Sequence, residues 1–151
     1  MPTYLSKNFT LEELIDSKTA DKYNIKNIPD SQEIENLKKL AINILQPIRD
    51  KYNHSISVSS GFRCERLNKI IGGSKTSQHI TGSAADIKCT YTSKAYLFNM
   101  IKNMIKDGEI KVGQLIWEYG SKSEPNWIHI SLPYKKINNI FFIFILCHLL
   151  S

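Results

Sequence analysis

The feature that most restricts the fold is a pair of short β-prone runs close together in the chain. QLIWE (114–118) and WIHISL (127–132) are separated by a loop containing Gly120, Ser121, Ser123 and Pro125. Short β-branched and aromatic runs bounded by Gly, Ser and Pro read as strands, and two of them joined by such a loop read as a hairpin. A hairpin pairs its strands antiparallel, so an α+β domain fits better than a doubly wound parallel sheet.

The rest of the chain supplies helices to cover that sheet. Thr10 with Glu13, and Asp30 with Glu33, have the spacing of capping boxes that open helices. Behind the second, Ile34, Leu37, Leu40, Ile44, Leu45 and Ile48 recur at helical spacing, which predicts a helix bent rather than ended at Pro47. ISVSSGFR (56–63) reads as a strand stopped by Gly61, ERLNKII (65–71) as one or two helical turns, and residues 84–89 as a strand. Residues 93–106 carry an apolar helical face of Ala95, Leu97, Met100, Ile101 and Met104. No Gly-rich loop joins a strand to a helix to cradle a phosphate, and no internal repeat is present.

A chain of 151 residues with 42% apolar content is long enough for one domain with its own core. Its net charge of +6 suits an anionic partner, although the lysines are scattered and a solvated basic surface accounts for them equally well. Three cysteines without CxxC spacing, Cys64, Cys89 and Cys147, predict reduced thiols and synthesis in a reducing compartment. MPTYLSKNFT has no basic start followed by an apolar core, so no signal peptide is expected. The apolar run IFFIFILCHLL (140–150) is shorter than the roughly 20 residues that span a bilayer. A buried strand, a membrane-surface tail and a frame scar all remain open for it, and membrane contact is not the expectation. The division expected is one domain over residues 1–136 and an apolar tail over 137–151.

Two segments concentrate the chemistry. In SQHITGSAADI (77–87), Asp86 projects from a predicted strand on the face of Ala84 and Lys88, and Gly82 permits a turn that returns His79 beside it. On the returning hairpin strand Trp127, His129 and Ser131 share a face, and Glu118 on the outgoing strand can approach His129 across the ladder. Two imidazoles and one carboxylate suit a catalytic zinc, which takes three protein ligands and keeps a fourth position open. Such a site needs a further carboxylate as general base, a role Glu118 can fill. A buried His bonded to an Asp is also a common structural pair, and on the pattern alone the two readings stand level.

SSGFR, LNKIIGGSKTSQHITGSAADI, QLIWEYG and WIHIS, with FTLEEL and LQPIRDKY upstream, resemble the zinc D-alanyl-D-alanine peptidase family over residues 9–134. That family includes D,D-carboxypeptidases, D,D-dipeptidases and phage endolysins, and shares the hedgehog/DD-peptidase fold. The resemblance implies a small antiparallel sheet with flanking helices and Zn²⁺ held by His79, Asp86 and His129. It places Arg63 near the active site, where a guanidinium can grip a substrate carboxylate, and sets Ser77 and Gln78 beside His79 as substrate or loop contacts. Glu118 matches the position of the catalytic base in some relatives. Others place that base three residues before the last His, here Asn126, and Glu124 in the loop is a further candidate. His54 and His148 fall in no motif and are expected not to be ligands. The implied activity is hydrolysis of peptidoglycan stem peptides, of D-Ala-D-Ala carboxypeptidase or L-Ala-D-Glu endopeptidase type, by a phage or prophage lysin. Such a protein is made in the cytoplasm, acts at the cell wall as a monomer and needs no nucleic acid. The competing expectations are an inactive zinc-stabilised binding module of the same fold and a structural part of a phage particle.

Overall fold

A computed structural model describes residues 1–134 and, by backbone alone, residues 142–144. The domain is α+β. Its helices are α1 (Leu11–Ile15), α2 (Lys18–Lys22), α3 (Ser31–Leu40), α4 (Gln46–Tyr52), α5 (Glu65–Ile71) and α6 (Lys94–Lys106). The strands are β1 (Ser57–Ser60), β2 (Ala84–Lys88), β3 (Gln114–Glu118), β4 (Trp127–Ser131) and β5 (Phe142–Phe144). They form one sheet in the order β1-β2-β4-β3-β5, antiparallel through its first four members. The hairpin β3–β4 is thus as its sequence predicts. β5 extends this antiparallel sheet by pairing parallel with β3 at its outer edge. It is the described part of the apolar tail; the rest of that run, with Cys147 and His148, lies outside the described residues. No helix among the described residues is long and apolar enough to cross a membrane.

Local chemistry accounts for the helix boundaries. Asp30 and Glu33 form the complete capping box, each side chain bonded to the other's backbone N–H. The Thr10 box is half formed: Thr10 Oγ1 accepts from Glu13 N at 3.2 Å, but the Glu13 carboxylate turns to the backbone of Val58 on β1. Pro47 has no N–H for the Asn43 carbonyl, and the chain absorbs the defect just upstream as a π-turn over Ala41–Leu45, with Gln46 N bonded to Ala41 O. The apolar period continues through Ile48 as predicted.

Strand alternation divides the sheet into two functional faces. Ala85 and Ile87 of β2, Ile128 and Ile130 of β4, and Leu115 and Trp117 of β3 are buried in one core. They share it with Leu37, Leu40, Ile44, Leu45 and Ile48 from the N-terminal helices and with Leu97, Phe98, Ile101 and Met104 from α6. Phe98 and Trp117 meet edge to face at 5.3 Å. The intervening residues Asp86, His129, Ile116, Trp127 and Glu118 therefore project from the opposite face, because side chains alternate along a strand.

Candidate metal centre and cleft

Register fixes the first two members of the site. Asp86 on β2 pairs directly with His129 on β4, and Asp86 Oδ1 lies 2.9 Å from His129 Nδ1. His79 arrives from the loop before β2. Gly82 has φ +70°, and a Cβ there would sit 2.6 Å from the Glu33 carbonyl, so only glycine makes this turn without strain. The turn places His79 Nε2 3.3 Å from Asp86 Oδ1. All three residues are within 9% of full burial, and their ligand atoms lie within 4.8 Å of one another.

The SGFR segment clamps this arrangement. A bulge between Val58 and Ser60 shifts the register of β1 on β2, so that Ser60 pairs with Asp86. Gly61 O then accepts from His79 Nδ1 at 2.7 Å, and Arg63 N donates to His79 O at 3.1 Å. A side chain at Gly61 would overlap the Leu14 carbonyl, so this close passage needs glycine. Because a carbonyl only accepts, Nδ1 carries the hydrogen of this bond and Nε2 is turned toward Asp86 and His129. This is the orienting bond that a metal-ligating histidine requires.

The donor set fits a tetrahedral ion. Ligand bonds of about 2.0–2.2 Å at tetrahedral angles separate ligand atoms by about 3.3–3.6 Å. The 3.3 Å His79–Asp86 distance already matches, and the 2.9 Å His129–Asp86 distance needs a shift of a few tenths of an ångström. Burial opposes ionisation of Asp86, but the bonds and charges of His129 and His79 outweigh it and hold the carboxyl well below the usual range. The site therefore presents an anion between two imidazoles, the charge pattern a dication stabilises.

Arg63 is placed differently from a free substrate clamp. Its Nη2 donates to Asp86 Oδ2 at 3.3 Å, Nη1 to Asn68 Oδ1 at 3.2 Å, and Nε to Ser60 Oγ at 3.0 Å. Three of its five N–H donors thus hold protein groups, foremost the outer oxygen of the carboxylate. Burial lowers its pKa, while the charges of Asp86 and Glu118 push the other way, which also locates Glu118 near the guanidinium.

Glu118 and Glu124 part company in the hairpin. Glu118 pairs with Trp127, two residues from His129, on the face that carries Asp86 and His129. Asn126 N donates to Glu118 O at 3.0 Å and closes the strand end. Glu124 turns to the start of α6, where Oε1 accepts from Lys94 N at 2.7 Å and lies 3.2 Å from Lys94 Nζ. Burial pushes the Glu124 pKa up, but the Lys94 contacts together prevail and lower it. Asn126 is exposed.

Ser77 and Gln78 serve the loop in their described contacts. Ser77 Oγ accepts from His79 N at 3.3 Å, and Gln78 Nε2 donates to Leu132 O at 3.2 Å. Both line a hollow bounded by Asn36, Lys39 and Tyr134, whereas Asp86, Arg63 and Trp127 line a different cleft of about 550 Å³. A loop that points His79 inward directs its immediate neighbours elsewhere. His54 stacks on Tyr91 with ring centroids 3.3 Å apart and takes no part in the site.

Two buried asparagines carry the scaffold and were not legible as site residues. Asn68 receives Arg63 and donates to Ser74 O at 2.9 Å. Asn27 donates to Ile15 O and Phe62 O, both at 2.9 Å, and accepts from Cys64 N at 2.8 Å. Each sits in a connector or short helix where an asparagine ordinarily signals only a solvated turn.

An α+β domain with a His–Asp–His group on the open face of its sheet, beside a cleft, has the make-up of a metallopeptidase. The family model described as Peptidase M15 matches residues 7–131, and the chain belongs to that family. No curated protein matches the chain.

Proposed function

We propose that the protein is a zinc peptidase that hydrolyses stem peptides of bacterial peptidoglycan, of D-Ala-D-Ala carboxypeptidase or L-Ala-D-Glu endopeptidase type, in the role of a phage or prophage lysin. The observation that carries this reading is the three-residue donor set beside a cleft that Asp86 lines, with a second carboxylate, Glu118, on the same face. His79 Nε2, Asp86 Oδ1 and His129 Nδ1 would hold the ion. Zinc bound there supplies Lewis acidity, which polarises a peptide carbonyl and lowers the pKa of water.

The chain's own residues account for the remaining chemistry. Glu118 takes a proton from the attacking water and delivers it to the leaving amine. Engagement of Glu124 by Lys94 supports Glu118 in that role. Arg63 holds Asp86 Oδ2 so that Oδ1 faces the two imidazoles, and its two remaining N–H donors are left for a substrate carbonyl or carboxylate at the cleft. Trp127, half-buried on the same face, gives the peptide a flat apolar wall. The net charge of +6 favours an anionic wall polymer.

Mass spectrometry of muropeptides incubated with the zinc-loaded protein tests the proposal. Loss of terminal D-Ala, or release of L-Ala-terminated glycan, is the expected product. Intact muropeptides beside a tightly held zinc would leave an inactive binding module instead.

A further inference from the structure

The row of the sheet next to the metal group carries a second charge pattern. Ile87 pairs with Ile128, so the next pair along brings Lys88 of β2 opposite Trp127 of β4, and Trp127 in turn pairs with Glu118 of β3. Lys88, Trp127 and Glu118 therefore cross the site face in one line, with an anion at one end and a cation at the other. Lys88 lines the cleft that Asp86 and Arg63 also line. Among the described residues its ammonium has no ion-pair partner, and the side chain is exposed.

The other cations of this cleft are less available. Arg63 has three of its five N–H donors committed to Asp86, Asn68 and Ser60, and its charge is already set against Asp86. Lys18 lies on a wall that also carries Asp16, so that side presents both signs. Lys88 is left as the charge best placed to receive a substrate anion.

We infer that Lys88 is a specificity-determining residue that receives a free carboxylate on the acyl side of the scissile bond. The inference rests on the peptidase reading proposed above, with Glu118 as its proton carrier. Glu118 must reach the leaving amine, so the amine side of the peptide lies over β3 and the acyl side runs across β4 toward β2. Adjacent strands are about 4.8 Å apart, so β3 and β2 are separated by about 9.6 Å, close to the span of two to three extended residues. A D-Ala-D-Ala bond preceded by a diaminopimelate residue carries a free carboxylate at that distance on its acyl side. An L-Ala-D-Glu bond has its carboxylates on the amine side. Lys88 therefore selects the first kind of bond over the second.

The test uses the pentapeptide L-Ala-D-Glu-meso-diaminopimelate-D-Ala-D-Ala and the same peptide with its free diaminopimelate carboxylate amidated. Zinc-loaded wild type, Lys88→Met and Lys18→Met are compared by kcat/KM and by calorimetric Kd on both peptides. Wild type should prefer the carboxylate form about tenfold, mostly through KM and Kd. Lys88→Met should bring that ratio to about one, and Lys18→Met should keep it. A wild type without preference, or a ratio that survives Lys88→Met, overturns the inference. If wild type cleaves neither peptide, the peptidase reading fails on its own, and the Kd ratio still decides Lys88: a tenfold preference abolished by Lys88→Met upholds its role as a carboxylate receptor, and an unchanged or absent ratio overturns it.

Discussion

Replacing Glu118 by Gln separates its proposed chemistry from its place in the fold. The amide is nearly isosteric, so the β3 register with Trp127 and the bond from Asn126 N to Glu118 O, both backbone features, should persist. Glu118 lies diagonal to His129 across the ladder, where Cβ atoms are about 7 Å apart or somewhat less. That gap leaves a glutamate room to reach a water beside the metal group without itself becoming a ligand. Removing a general acid–base group typically costs about 10²- to 10⁴-fold, which corresponds to about 3–5 kcal/mol of barrier. Glu124→Gln supplies the contrast. It keeps an amide oxygen to accept from Lys94 N but loses the charge that faces Lys94 Nζ. A half-exposed surface charge contact of that kind, remote from the His–Asp–His group, is worth about 0–1 kcal/mol, so Glu124→Gln should stay within a few-fold of wild-type turnover. Muropeptide release at saturating zinc, with zinc content measured on the same samples, decides the matter. A Glu118→Gln enzyme that turns over normally while Glu124→Gln is inactive would refute the assignment of the base.

Two further substitutions probe the His–Asp–His group and its turn. His129→Ala should abolish stoichiometric zinc binding, as read by metal analysis of the purified protein, while the core-facing Ile128 and Ile130 keep β4 in the sheet. Gly82→Ala places a side chain at φ +70° and against the Glu33 carbonyl, which should destabilise the fold by about 1–3 kcal/mol in denaturant titration; an unchanged midpoint would mean that the turn relaxes freely.

The helices and the hairpin were legible because each rests on a local rule. The Asp30–Glu33 box, the apolar period from Ile34 to Ile48 and the alternation of Trp127 to Ser131 all act within a few residues. The clustering of His79, Asp86 and His129 was legible for a related reason: Asp86 and His129 sit on strands whose faces alternation predicts, and Gly82 marks the turn that returns His79. What the sequence concealed depends on contacts between distant segments. Nothing in ERLNKII announces that Asn68 will be 3% exposed and hold a guanidinium, and nothing in YNIKNIPD announces that Asn27 will tie Ile15, Phe62 and Cys64 together. The same holds for Glu13, whose helical partner is local but whose actual one, the Val58 backbone, comes from β1. The parallel pairing of β5 was equally hidden, since an apolar run specifies burial and not the direction in which a strand joins an edge.

Arg63 admits two roles that a single substitution tells apart. In the structure it orients Asp86: Nη2 holds the outer carboxylate oxygen, and Asn68 and Ser60 fix the plane of the fork from the other side. Arg63→Lys keeps a positive charge in the cleft but has one nitrogen in place of three, so it cannot hold Asp86, Asn68 and Ser60 together. Loss of a group that orients a metal ligand typically costs about 10- to 100-fold in metal affinity or activity. Arg63→Lys should therefore release zinc to a chelator at correspondingly lower concentration, with KM little changed once zinc is saturating. Asn68→Ala should move zinc affinity in the same direction by less, because it frees Nη1 while Nη2 still reaches Asp86. If Arg63 instead acts mainly on substrate, Arg63→Lys will leave zinc affinity at the wild-type value and raise KM, and Asn68→Ala will leave zinc affinity untouched as well. That pair of results would transfer Arg63 from the support of Asp86 to the binding of peptide.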